Sequence, residues 1–153
     1  MIFSHSNPSA VHAHPRNIPD DLIRACAATG GVVGINGVGS FLGQADGRDD
    51  ISSATFARHV DHVVQLVGPR HVSIALDYVF DMGELETYLA KMQHTFPPEL
   101  GYSAKPAFVA PEQLPEIVQA LLDRGYREED LRDILGGNLM RLARTVWKAP
   151  ARG

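Results

Sequence analysis

The sequence has few of the features that mark secreted, membrane or disulfide-rich proteins. It contains one cysteine in 153 residues, Cys26, so no disulfide can form within the chain. A lone cysteine in an apolar helical stretch predicts a small core residue in a reducing compartment. No stretch approaches the roughly 18 apolar residues of a membrane span, and no signal or anchor pattern occurs at either end. We therefore expect a cytoplasmic protein without membrane contact.

An excess of positive charge is also missing. The 18 Asp and Glu residues exceed the 14 Lys and Arg residues by four, and no basic run occurs, which argues against nucleic acid as a partner. With 44% hydrophobic and 21% charged residues, the composition is close to that of globular proteins. A disordered or collagen-like chain is thereby excluded, and the length fits a single domain.

Apolar runs of strand length alternate with segments of helical period, which is typical of a parallel βα architecture. Three strands are predicted, at 1–5, 32–36 and 72–77. Helices are predicted from a start signal at 17–21 to Gly30, over 56–67, over 114–122, and over 128–147 with a break near Gly136 and Gly137.

Two features of this pattern are unusual for a complete domain. The segment 78–110, rich in aromatics, proline and acids, is predicted to be a long connection, and such loops are usually functional or mobile. A parallel sheet of three strands also leaves two edges without partners. Either further strands come from elsewhere, or the chain is part of a larger α/β fold.

A polar residue stands at the end of each predicted strand. The period of two places His5, Asn36 and Asp77 on the same face of their strands, at the carboxyl ends. That rim is where α/β barrels and open α/β sheets keep their active sites. The alternative is that these residues are only strand-end caps.

Two residue types on this rim suit metal binding or proton transfer. His5 could ligate a divalent metal, and Asp77 could ligate or transfer a proton. A catalytic zinc usually needs three protein ligands, so from the residues alone the metal site is a hypothesis. Arg16 could hold a substrate carboxylate with its planar guanidinium, and its alternative is a solvated loop arginine.

A pair of histidines, His59 and His62, stands three residues apart in a predicted helix. That spacing can suit a metal ion. Because Arg58 and Asp61 lie beside them, we expect a solvated helix face instead.

The ordered motifs of the chain resemble those of the second half of the renal (membrane) dipeptidase family, bacterial members in particular. This family comprises zinc peptidases on a metal-dependent hydrolase (β/α)₈ barrel. The resemblance runs through nearly the whole chain. It rests on IFSHSN at 2–7, HPRNIPDD at 14–21, GGVVGIN at 30–36, HVSIALDY at 71–78 and GGNLMRLARTVW at 136–147.

The resemblance implies roles for His5, Arg16 and Asp77. His5 matches a ligand of the second of two zinc ions, and Arg16 matches the arginine that holds the dipeptide's C-terminal carboxylate. Asp77 matches the aspartate that handles protons while the metal-bridging water attacks the peptide bond. In such a site two metals activate the water and polarise the carbonyl. Asn36 is placed to line the pocket without a family role.

The sequence departs from the family pattern in two ways. The family's HxD pair, bridging glutamate and two further histidines precede the SHS segment in relatives and do not occur here, so the chain is expected to begin inside strand six. In addition, Asp77 is followed by Tyr78-Val79-Phe80-Asp81, where the commoner form reads Asp-Phe/Tyr-Asp-Gly. This segment bears on substrate choice.

We therefore interpret residues 1–153 as a C-terminal part of a TIM barrel, about three βα units, whose N-terminal half is absent. The expected function is zinc-dependent hydrolysis of dipeptides, with an N-terminal half or another copy of the chain as partner. The alternative is a catalytically inactive remnant that acts as an interaction or assembly module. A neighbouring reading frame that encodes the HxD half would favour the enzyme.

Overall fold

The computed structural model describes residues 1–100, 102 and 105–147. Residues 101, 103 and 104 of the predicted 78–110 connection and the tail 148–153 lie outside the described residues. In chain order the elements are β1 (Ile2–Phe3), α1 (Asp20–Ala28), β2 (Val32–Asn36), α2 (Gly39–Leu42), β3 (Gln44–Ala45), β4 (Arg48–Asp49), α3 (Ser53–Val67), β5 (Val72–Ala75), α4 (Met82–Lys91), α5 (Leu114–Leu122), α6 (Glu128–Arg132) and α7 (Asn138–Val146).

The three predicted strands form one parallel sheet in the order β1-β2-β5. Val33 of the central strand pairs with Phe3 on one side and with Val72 on the other. All five residues of β2 are buried, as expected for a strand covered on both faces. The parallel βα architecture predicted from the sequence is confirmed. Within the described residues, β1 and β5 are the edges of this sheet.

Helix α1 follows from its local chemistry. Asp20 and Asp21 occupy its first turn, where the helix dipole favours acidic side chains. Ile23 and Cys26 are fully buried, which confirms Cys26 as a core residue, and burial raises the pKa of its thiol. The helix ends before Gly30, whose φ of 74° lies in the left-handed region that glycine adopts without strain.

Helix α3 carries the centre of the core and corrects one prediction. Phe56, Val60 and Val63 are fully buried, and His59 lies on the same buried face of the helix. Its Nε2 lies 2.8 Å from the carbonyl oxygen of Leu42. The predicted solvated face is therefore wrong for His59, because positions three and four apart on a helix turn to the same side whatever lies beside them.

The second histidine of that pair lies nearer the surface. His62 is partly exposed, and its Nε2 lies 2.8 Å from Oδ1 of Asp20. This contact joins α3 to the first turn of α1, which packs against it. On its other flank α3 packs against α5, through which Ile117 and Leu121 enter the same core.

The connection after β5 contains a helix that the sequence analysis missed. Helix α4 begins after Asp81, whose side chain accepts a hydrogen bond from the backbone N–H of Glu84 at 2.9 Å. Asp81 and Glu84 have the spacing of a helix N-terminus, and Leu85 and Leu89 follow at helical spacing. The prediction of a long irregular connection is therefore wrong over Met82–Lys91.

The C-terminal helices pack against the opposite end of the sheet from the predicted rim. The break predicted near Gly136 is confirmed as a kink inside a widened turn, Asp133–Gly137. Beyond it, the buried Asn138 donates from Nδ2 to the carbonyl oxygens of Pro69 and Val72, both at 2.8 Å. These bonds tie α7 to the start of β5. Among the described helices, none is both long and apolar enough to cross a bilayer.

Candidate functional site

The carboxyl ends of the three parallel strands bring the predicted rim residues to one edge. Pairing continues beyond the strands: Ser6 N–H donates to Gly34 O at 2.8 Å, and Gly37 N–H donates to Leu76 O at 3.0 Å. His5, Asn36 and Asp77 therefore follow or end neighbouring strands on the same side of the sheet. Their shared location is as predicted, and their chemical roles stay predictions.

Asn36 and Asp77 are in direct contact. Asn36 is fully buried, and its Nδ2 donates to Oδ2 of Asp77 at 3.1 Å. Its Oδ1 accepts the N–H of Val38 at 2.6 Å, which fixes the orientation of the amide. Asp77 is exposed and has a φ of 56°, a left-handed conformation that costs a residue with a side chain roughly 1 kcal/mol or more. Asn36 thus acts on the rim through Asp77.

Two further buried asparagines, which the sequence analysis did not single out, support this edge. Asn7 accepts the N–H of Asn36 at 2.8 Å and donates to its carbonyl at 3.1 Å. Asn17 donates to the carbonyl oxygens of His12 and Phe41, both at 2.8 Å. Asn7 directly follows the SHS motif that contains His5, and Asn17 directly follows Arg16. These positions next to predicted site residues are the signal by which the sequence could have indicated both asparagines.

Arg16 is aimed at the rim by contacts with His5 and Phe41. Its Nη2 lies 3.2 Å from Nε2 of His5, and Cζ lies 5.7 Å from the centre of the Phe41 ring. Since a guanidinium can only donate, Nε2 of His5 is the acceptor and Nδ1 carries the proton toward Ser4 Oγ, 2.7 Å away. Arg16 is exposed but held, which departs from a freely solvated loop arginine.

A cavity of about 250 Å³ lies at this edge, with Arg16 and Asp77 among its lining residues. Its other walls come from the loop and helix after β2 and from the segment after β5. Those walls are mainly apolar and include Val38, Phe41, Val79, Leu85, Leu89, Phe96, Tyr102 and Phe108. The site thus combines a guanidinium and a carboxylate with a small cavity whose walls are largely apolar.

The described residues do not by themselves fit a zinc centre. Within 1–100, 102 and 105–147, no group of three His, Cys, Asp or Glu side chains is placed to hold a metal ion. His5 offers one imidazole, and both of its ring nitrogens have partners in Ser4 and Arg16. A catalytic zinc usually takes three protein ligands.

Comparison with known sequences identifies relatives along nearly the whole chain. The family model of membrane dipeptidases, peptidase family M19, matches residues 1–89. An uncharacterised protein in the pqqA 5′ region of Klebsiella pneumoniae is 33% identical over 150 residues, which are 97% of this chain and 47% of that protein. Dipeptidase aclJ of Aspergillus oryzae is 32% identical over 143 residues, 93% of this chain and 29% of that protein. The chain spans about half the length of these relatives, or less.

Solved structures agree with the sequence comparison. An amidohydrolase from Pseudomonas aeruginosa superposes with a TM-score of 0.75 at 26% identity, over 96% of this chain and 46% of that one. Dipeptidase AC, a metallopeptidase of family M19, superposes with a TM-score of 0.69 at 25% identity, over 97% of this chain and 37% of that one. The predicted partial (β/α)₈ barrel is confirmed, and the chain belongs to the membrane dipeptidase family, peptidase family M19.

Proposed function

We propose that the rim residues His5, Asn36 and Asp77, together with Arg16, form part of the active site of a zinc-dependent dipeptidase. Such an enzyme is a peptide hydrolase that acts on small dipeptides. The observation that carries the proposal is the placement of Arg16 and Asp77 on one small cavity at the carboxyl end of a parallel sheet. A dipeptide is a short molecule with a carboxylate at one end and a scissile amide nearby. The guanidinium of Arg16 can bind the carboxylate of the dipeptide, and the carboxyl group of Asp77 can transfer a proton at the amide.

Arg16 is proposed to bind the C-terminal carboxylate of the dipeptide. Its guanidinium lies over the Phe41 ring, and the His5 contact leaves further N–H groups of the fork free to donate. A planar fork can donate two parallel hydrogen bonds to a carboxylate, which fixes the position of the bound molecule as well as its affinity.

Asp77 is proposed to accept and return a proton during hydrolysis. Asp77 is exposed, and the hydrogen bond from Asn36 restrains Oδ2 of its carboxylate. A positioned carboxylate of this kind contributes rate by general acid–base catalysis. Asn36 is a positioning residue in this proposal, and its direct contact with substrate stays a prediction.

Zinc dependence is included in the proposal. The metallopeptidase relative and the resemblance of His5 to a ligand of the second of two zinc ions support it. Because the described residues hold no complete ligand set, the remaining ligands must lie outside them. His5 Nε2, which now faces Arg16, is the nitrogen that would be offered to a metal, since Nδ1 is turned to Ser4.

The proposal also includes a partner polypeptide or a second copy of the chain. In the described part of the sheet, β1 and β5 have a neighbour on one side only. Strand edges of this kind pair with further strands. A cytoplasmic location stays a prediction from the single cysteine.

The experiment joins this chain to the half of the Klebsiella relative that it does not match and measures dipeptide hydrolysis with added zinc. We expect turnover. Asp77→Asn should lower kcat by about 10²–10⁴-fold, since the amide keeps the shape of the side chain but cannot accept and return a proton. Asp123→Asn, the same change on the exposed end of α5, is the control and should leave kcat unchanged. A folded hybrid without hydrolysis would contradict the proposal and favour the interaction module.

A further inference from the structure

Helix α4 is attached to the rest of the molecule in an unusual way. None of its ten residues is fully buried. Leu85 and Leu89, one helical turn apart, are only partly exposed and line the same cavity as Arg16 and Asp77. Its other positions, such as Glu84 and Thr87, face solvent. The apolar stripe of α4 therefore rests on the cavity.

Aromatic rings form the facing wall. Tyr102 packs edge-on against Phe41 at 6.1 Å between ring centres and against Phe96 at 5.4 Å. Phe108 adds a further apolar surface to the lining. Among the described lining residues, Arg16 and Asp77 alone carry charge.

From this arrangement we infer that the site selects dipeptides whose C-terminal residue has an apolar side chain. The inference rests on the proposed function in one respect, that Arg16 holds the C-terminal carboxylate. With the carboxylate on Arg16, the side chain of the same residue lies next to Phe41 and under Leu85 and Leu89. It then covers the exposed apolar stripe of α4.

The selectivity has a simple physical origin. Each methylene that leaves water for an apolar wall strengthens binding by about threefold to fourfold. A charged side chain in the same place would lose water, while the two charged lining residues, Arg16 and Asp77, are assigned to the carboxylate and to the peptide bond. The cavity volume of about 250 Å³ leaves room for a branched aliphatic side chain.

The test titrates the full chain with N-acetyl amino acids and follows binding by NMR chemical shifts. The probes are N-acetyl-glycine, N-acetyl-leucine, N-acetyl-glutamate and N-acetyl-lysine, the last three as both enantiomers. We expect N-acetyl-leucine to bind at least about tenfold more tightly than N-acetyl-glycine, and the charged probes to bind no more tightly than glycine. Equal affinities, a preference for a charged probe, or no binding by any probe would overturn the inference.

Variants of α4 show whether its stripe causes the preference. Leu89→Asn should remove most of the advantage of leucine over glycine, whereas Leu89→Met should keep it. Leu122→Asn places the same change on an exposed position of α5, away from the cavity, and should leave the preference intact. An unchanged preference in a folded Leu89→Asn protein would overturn the role of α4.

These measurements separate the two proposals because they require binding and no hydrolysis. A leucine preference in the chain, together with a hybrid barrel that does not cleave dipeptides, would refute the proposed function and leave the inference standing. A hybrid that cleaves dipeptides without regard to the C-terminal side chain would refute the inference alone.

Discussion

Asn36 donates a hydrogen bond from Nδ2 to Oδ2 of Asp77, which joins the end of the central strand to the exposed carboxylate of its neighbour. Asn36 is fully buried, and Asp77 has a left-handed backbone conformation. The buried amide therefore stabilises the strained residue. Asn7 in turn holds the backbone of Asn36 from the loop after β1. The rim is therefore braced across all three strands.

The first prediction concerns this brace. Asn36→Ala leaves the N–H of the buried Val38 without its acceptor and the exposed carboxylate of Asp77 without its amide donor. We expect a loss of about 2–3 kcal/mol in the free energy of unfolding, measured by urea denaturation. Asp77→Ala, at an exposed position, should cost about 1 kcal/mol or less. Equal losses for the two variants would show that Asn36 has no bracing role.

The second prediction is a pH dependence of stability from His59. Burial is the main cause that lowers the pKa of this histidine to about 4; the charge of Arg58 acts in the same direction, and the hydrogen bond with the Leu42 carbonyl opposes it. The unfolded chain has a histidine pKa near 6.5 and binds the proton first as the pH falls. His59 should therefore contribute full stability above pH 6.5 and lose about 3 kcal/mol of it as the pH falls toward 4.

The control for this prediction is His59→Gln, whose amide can still donate to the Leu42 carbonyl but does not titrate. Urea unfolding at several pH values should show a shallower fall between pH 6.5 and 4 for the variant than for the natural chain. Parallel curves over that range would mean that His59 does not drive the loss.

The backbone framework followed from the sequence because its signals are local. Alternation of apolar residues and the paired glycines 30 and 31 place β2 at Val32–Asn36, where the structure has it. The carboxyl ends of parallel strands must share an edge, so His5, Asn36 and Asp77 could be grouped without coordinates. The family roles of these residues came from the ordered motifs and not from the spacing.

What the sequence did not reveal depends on contacts between distant segments. The burial of His59 is set by the phase of α3 against the sheet, while its charged neighbours suggested solvent. Asn7 and Asn17 satisfy carbonyl groups far along the chain, such as that of Phe41. The proline and acid content of 78–110 obscured α4, although the Asp81 and Glu84 spacing could have indicated its start.

The third prediction concerns Arg16. Arg16→Lys keeps the charge but loses the planar fork, so it should raise KM for dipeptides about tenfold or more in the hybrid barrel and change kcat much less. A hold on the carboxylate acts in the ground state and in the transition state alike, which is why KM carries the effect. Arg24→Lys on the exposed face of α1 is the matched control. A larger fall in kcat than rise in KM would place Arg16 at the reacting bond instead.

The last prediction concerns association of the chain by itself. Met1, Ile2 and Trp147 are exposed by 62%, 45% and 78%, and β1 and β5 are open edges within the described sheet. Covering one large apolar side chain is worth roughly 1.5–3 kcal/mol, so leaving several uncovered takes a large share of the roughly 5–15 kcal/mol typical of domain stability. We therefore expect self-association, or binding of an apolar dye, in the isolated chain.

Sedimentation at several concentrations, with dye fluorescence in parallel, measures this association. Ile2→Thr lowers the apolar character of the β1 edge while keeping a β-branched residue, and it should weaken self-association. Leu122→Thr, at an exposed position of α5, which packs against α3 and α6, is the control and should leave the association unchanged. A monodisperse monomer that unfolds cooperatively and binds no dye would show that the open edges need no partner, and the proposed pairing with a further part of the barrel would lose its main support.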